Sequence, residues 1–126
     1  MDHRPARGLA AAFVALFAPV FAFPLLLDPY RWAKWFRWRE EPVTDVGLYF
    51  GRCLGALGVS FCVQGARAAR DPVRHRTFFQ FMEIGAWLLS AVHVRGLLER
   101  RQPPIEHAEI VGYSAFAIAA RRYRPA

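Results

Sequence analysis

A chain of 126 residues is one domain's worth, yet 55% of it is hydrophobic and 15% aromatic, more than a soluble domain of this size can bury. The net charge of +7 would suggest nucleic acid in a soluble chain. Here the arginines stand between and beside the apolar blocks without any nucleic-acid recognition motif, which excludes that partner and points to an integral membrane protein.

The first block, "GLAAAFVALFAPVFAFPLLL" (residues 8–27), holds no charge in 20 residues, about what a ~30 Å hydrocarbon core requires. "MDHRPARG" and the small residues of "VFA" at Val20 to Ala22 also fit a signal peptide. The apolar run continues through Leu27, however, and Pro24 would follow the cut, so a retained span is expected. Pro19 and Pro24 should kink its second half, and neighbouring helices can satisfy the carbonyls they free. Next, "DPYRWAKWFRWREEP" predicts a short interfacial helix over 29–40 whose Trp32, Trp35, Phe36 and Trp38 form an aromatic belt beside basic residues.

The second span, 46–66, carries most of the chain's glycines. Glycine costs ~1 kcal/mol against alanine in a soluble helix, whereas small residues in lipid let helix backbones approach closely. Gly47, Gly51, Gly55, Gly58, Cys62 and Gly65 fall within about 80° of one another at 100° per residue, a continuous groove along the helix. It should seat another helix of the same bundle, a second copy, another subunit or a flat cofactor. Cys53 and Cys62 lie ~13.5 Å apart along the helix axis, too far to bridge. Two further spans follow, over 77–98 and 104–120, joined by short charged turns. Four spans put the N-terminus, the second connection and the C-terminus on one side with nine arginines, against six basic residues opposite. By the positive-inside rule both termini should be cytoplasmic.

Ionisable residues within spans are functional candidates because they are expensive there. Topology places Arg52, His93, Arg95, Glu106, His107 and Glu109 at similar depth near the outer face, so Glu106 or Glu109 should pair with Arg52 or Arg95. His93 and His107 beside carboxylates have the donors for a metal, a haem or a quinone headgroup. No ligand spacing such as H-x-x-x-H supports a metal, and none is expected. His93 with Leu97 is similar to a pigment-ligating histidine, but Leu89 stands where such helices carry alanine. Glu83 is isolated about 9 Å deep in the third span, with Arg76, Gln80, Tyr113 or Ser114 as candidate partners. It could be structural, or the carboxyl of a transporter. No catalytic triad spacing and no phosphate-binding loop occurs.

The run "FGRCLGALGVSFCVQGARAARDP" resembles the DoxX-like group of small bacterial four-span proteins, in which an arginine opens a Leu-Gly-rich helix ending in a short charged turn. The resemblance extends from about Val46 through Ala120 and implies a four-helix membrane bundle, often an accessory to a redox system. It carries over no catalytic residue. Small multidrug transporters share the size but place a glutamate in their first span, where this chain has no acid. The expected fold is thus an all-α four-helix bundle of the bacterial inner membrane. Its expected role is non-enzymatic, an accessory or structural subunit that packs through the glycine face against other subunits or itself, with the cofactor left open between none and a haem, quinone or pigment. A small homo-oligomeric ion-coupled transporter using Glu83, or a quinone- or haem-associated redox protein, is the alternative.

Overall fold

The structure, a computed structural model, describes residues 3–39 and 42–126 and is helical wherever it is regular. The first apolar block forms one rod from Arg4 to Leu27. It comprises α1 (Arg4–Phe17), a π-helical turn (Ala18–Ala22) and α2 (Phe23–Leu27). The π turn begins just before Pro19, and Pro24 follows it. Each proline lacks the N–H that would close an α-helical bond four residues back, and the wider turn absorbs the defect. The carbonyl of Val20, left without its donor by Pro24, accepts a hydrogen bond from Trp32 Nε1 at 2.9 Å. Trp32→Phe should keep the ring packing but lose this bond, costing about 1 kcal/mol in unfolding experiments in detergent.

Asp28 turns the chain and caps α3 (Pro29–Trp35), its Oδ1 accepting from Arg31 N at 3.0 Å, with Pro29 preset for the first helical position. The helix is shorter than the 29–40 read from sequence. It ends because Arg37 adopts a left-handed conformation with φ of 59°; residues 40 and 41 of that stretch lie outside the described residues. The early stop divides the aromatic belt. Trp32 and Phe36 stack with ring centroids 4.7 Å apart and pack on Phe21. Trp35 is exposed under the Arg31 guanidinium, and Trp38 is redirected toward the body of the protein.

Helix α4 (Asp45–Arg70) starts at Thr44, whose Oγ1 accepts from Gly47 N at 3.0 Å. Asp45 in its first turn and Arg67 and Arg70 in its last complement the helix dipole. Asp71 and a buried Pro72 turn the chain into α5 (Arg76–Leu98). That helix ends where Arg100 takes a φ of 54° and Arg101 N bonds back to the Gly96 carbonyl. A 3₁₀ turn (Pro104–Glu106) leads into α6 (His107–Tyr123).

These elements pair as two helical hairpins. The Arg4–Leu27 rod lies along α4, and α5 lies along α6. At one end the hairpins share an aromatic core in which the Phe13 ring meets Phe17, Phe78 and Phe116 at centroid distances of 4.9, 5.8 and 5.9 Å. Phe79, Met82 and the small residues Ala6, Ala10 and Ala120 complete it.

Along the rod, the glycine face of α4 is filled from within the chain. A side chain at Gly47 would strike the Tyr30 hydroxyl, at Gly51 the Pro29 ring, and at Gly55 the backbone of Leu25 and Leu26. Gly58 faces Ala22 and Phe17, and Gly65 faces Val14, Phe13 and Phe78. Cys62 is buried in the same row. The groove therefore seats the first apolar segment, the same-bundle occupant expected for it, and is not left as the surface for another subunit, the alternative. The physical reason is the short α3 connection, which folds the rod back beside α4 and brings its own backbone into the groove.

Among the described residues three helices, Arg4–Leu27, Asp45–Arg70 and Arg76–Leu98, are long and apolar enough to cross a membrane. The fourth expected span is split into the 3₁₀ turn and α6, whose 17 residues cover ~26 Å. Outward on α4 and α5 stand Leu54, Leu57, Phe61, Phe81, Ile84 and Leu88, all exposed.

Candidate functional site

The end of the molecule opposite the aromatic core is organised around a buried histidine. His93 lies on the face of α5 that packs on α6, as does Ser90 one turn earlier. Ser90 shares a 2.9 Å hydrogen bond with Ser114 of α6, which fixes the register of the two helices. The facing row is Glu106, at the end of the 3₁₀ turn, with Glu109 and Tyr113 of α6, a spacing of three and four residues that brings side chains onto one face. Pro103 and Pro104 start that face early: they cannot continue α5, and Pro104 opens the tight turn that ends at Glu106.

A carbonyl oxygen only accepts, so the 2.8 Å contact between His93 Nδ1 and the Leu89 carbonyl puts a proton on Nδ1. This bond also fixes the ring, and Nε2 is aimed across the interface. It lies 3.2 Å from Glu106 Oε2 and 3.1 Å from Glu109 Oε2. Trp38, carried in by the left-handed turn at Arg37, donates its Nε1–H to Glu106 Oε1 at 2.9 Å. The Tyr113 ring packs beside the imidazole with centroids 5.3 Å apart. The His93, Glu106 and Glu109 side chains are only 10%, 3% and 15% exposed. Glu109 Oε1 is buried without a hydrogen-bond partner.

Of the six polar residues assigned to this end from sequence, the structure brings His93, Glu106 and Glu109 together and leaves three out. Arg95 pairs with Glu99 on its own helix at 2.8 Å, and not with Glu106 or Glu109. Two residues from His93 is 200° around the helix, which turns Arg95 away from α6. Arg52 follows the groove residue Gly51 by 100° and is exposed, lining a shallow surface depression with Leu26, Asp45, Tyr49 and Cys53. His107 is half-buried and outside the cluster. The expected arginine–glutamate pairing is therefore replaced by a histidine between two glutamates.

Glu83 sits near the other end. Its carboxylate faces Arg124 at 3.5 Å and Arg121 at 3.9 Å, both from the C-terminal end of the chain, rather than Arg76, Gln80, Tyr113 or Ser114. The sequence pattern hid this because the cations come from residues beyond the expected last span. The role of Trp38 was hidden as well, since nothing in its spacing marks the left-handed turn before it.

No family model matches the chain, and neither the curated proteins nor the solved structures compared with it yield a match.

Proposed function

We propose that this chain is a small four-helix integral membrane protein of the bacterial inner membrane with both termini cytoplasmic, acting without chemistry of its own as an accessory subunit of a larger membrane assembly. The observation that carries the reading is the distribution of apolar surface. Leu54, Leu57, Phe61, Phe81, Ile84 and Leu88 project outward while a packed core lies behind them, so the solvent for those faces is lipid. The α6 helix completes the bundle by covering the buried face of α5, its glutamates turned inward against His93. The resemblance to the DoxX-like group agrees with this architecture. Because the chain fills its own glycine groove, a partner subunit would take the place of lipid on part of these outward faces.

Glu83 argues for this reading over transport. A coupling carboxyl must be free to take up its ion, whereas the Glu83 carboxylate is already engaged by Arg124 at 3.5 Å and Arg121 at 3.9 Å. Glu83→Gln should change stability by no more than ~1 kcal/mol, because Arg121 is mostly exposed and such pairs are weak. It should also leave assembly intact. The reading is tested by the native mass of the protein extracted in mild detergent from its own membrane. A fixed stoichiometry with other chains, retained in Glu83→Gln, supports the subunit. A small homo-oligomer whose ion flux in vesicles disappears in Glu83→Gln would overturn it in favour of a transporter.

A further inference from the structure

We propose that His93, Glu106 and Glu109 form a binding site for a divalent first-row transition metal of the zinc type. The expectation from sequence was that no metal binds, because no short ligand motif is present. The donors instead come from two helices packed face to face, an arrangement that spacing along one helix does not reveal.

Four observations support the assignment. First, one ligand atom from each residue lies within 4.8 Å of the others. The separations of 3.2 and 3.1 Å from His93 Nε2 to the two carboxylates are close to the ~3.3 Å between ligand atoms in a tetrahedral shell with zinc bonds of ~2.0–2.1 Å. The third separation, between the two carboxylates, is within 4.8 Å, and rotation of the carboxylates toward each other would close the shell around an ion.

Second, the orientation of each ligand is fixed from outside. Metal-binding histidines donate their other ring N–H to a carbonyl or carboxylate, as His93 Nδ1 does to Leu89. Trp38 holds Glu106 through Oε1 and leaves Oε2 facing the imidazole. Third, among the described residues the neutral side-chain donor beside the Glu109 carboxylate is the Tyr113 hydroxyl, and the buried Glu109 Oε1 makes no well-formed hydrogen bond, a deficit that coordination would relieve.

Fourth, the charge suits a divalent cation. Two carboxylates sit in a nearly dry site, and the arginines that topology offered them, Arg52 and Arg95, are turned elsewhere. Even an imidazolium leaves a net charge of −1 if both carboxylates stay ionised. A divalent ion with neutral imidazole and two carboxylates sums to zero, which removes the penalty for an uncompensated buried charge. One nitrogen and carboxylate oxygens suit zinc, iron or manganese better than copper(I), which prefers thiolates. Three protein ligands leave a fourth position for water or for the second oxygen of Glu109.

The experiment is a titration of tag-free, full-length protein in detergent micelles, stripped with chelator, using Co²⁺ as the spectroscopic probe and Zn²⁺ as competitor. One equivalent of Co²⁺ should produce saturable visible d–d bands that Zn²⁺ abolishes. Glu109→Gln and His93→Ala should each weaken binding by about 100-fold or more, and Trp38→Phe by about 10-fold through loss of the bond that orients Glu106. His107→Ala should leave the affinity unchanged. In parallel, Zn²⁺ should raise the melting temperature of the wild type and not that of Glu109→Gln, a readout that survives if His93→Ala does not fold. Absence of saturable Co²⁺ binding below about 1 mM overturns the proposal. So does binding that Glu109→Gln leaves intact, or a Zn²⁺ shift in melting temperature that persists in that variant.

Discussion

Gly55→Leu will detach the first apolar rod from α4. A Cβ at this position would fall on the backbone nitrogen and Cα of Leu26 and on the carbonyl carbon of Leu25. Flexible side chains can move a few tenths of an ångström, but here the obstacle is the main chain of a helix locked between two prolines and the Asp28 cap. Overpacking a core typically costs ~1–3 kcal/mol when side chains can adjust. With backbone against backbone the expected loss exceeds about 4 kcal/mol, the range reserved for disruption of a structural joint. Denaturant unfolding in detergent and protease sensitivity of the 28–44 connection should both report it. Gly85 provides the contrast, since a Cβ there meets nothing within 4 Å. Gly85→Ala should be neutral or stabilise by up to ~1 kcal/mol through helix propensity. A Gly55→Leu protein as stable as Gly85→Ala would mean that the rod does not occupy the groove.

The same comparison shows what the amino-acid sequence made legible. The glycine row was readable because a helix with six small residues on one face needs a close neighbour, whatever the neighbour is. Its occupant was not readable. That depends on a tight connection at Asp28–Pro29 and on α3 ending at Trp35, and the left-handed residue that ends it is an arginine rather than the glycine such a position favours. The same turn sends Trp38 to Glu106, so one backbone angle decides both the fate of the aromatic belt and the hydrogen bond that holds Glu106 in the polar cluster. The three long apolar segments were visible from composition alone. By contrast, α6 mixes alanine, glutamate and arginine, and its structural identity comes from packing on α5. At the cluster, the periodicity of Glu106, Glu109 and Tyr113 was visible, as was their proximity to His93. The choice of partner was misjudged because charge favoured arginine, while the angular positions of Arg52 and Arg95 on their helices carry them away.

Glu106 is the residue whose loss should cost most at that end. It is 2% exposed and joins three segments that are far apart in sequence: the connection bearing Trp38, α5 through His93, and the start of α6. In metal-free, chelator-treated protein, Glu106→Ala removes the acceptor of the Trp38 N–H and one of the two carboxylates facing His93. Breaking a buried charged pair from one side costs ~3–5 kcal/mol, because the remaining group stays buried without compensation. Glu106→Gln should cost less, since an amide oxygen can still accept from Trp38. The Glu83 contact, open to water through its arginines, supplies the weak end of the scale. The damage should also be local. The Phe13–Phe78–Phe116 contacts at the opposite end do not involve Glu106 and should continue to hold the two hairpins together there. Hydrogen exchange of Glu106→Ala should therefore show protection lost over the first turns of α6 and the last turns of α5, with the segments around Phe13 and Phe79 still protected. Uniform loss along the Arg4–Leu27 rod, α4, α5 and α6 would mean that the hairpins do not open independently. Unchanged exchange would mean that Glu106 contributes nothing to joining them, and the aromatic core alone would have to hold the bundle.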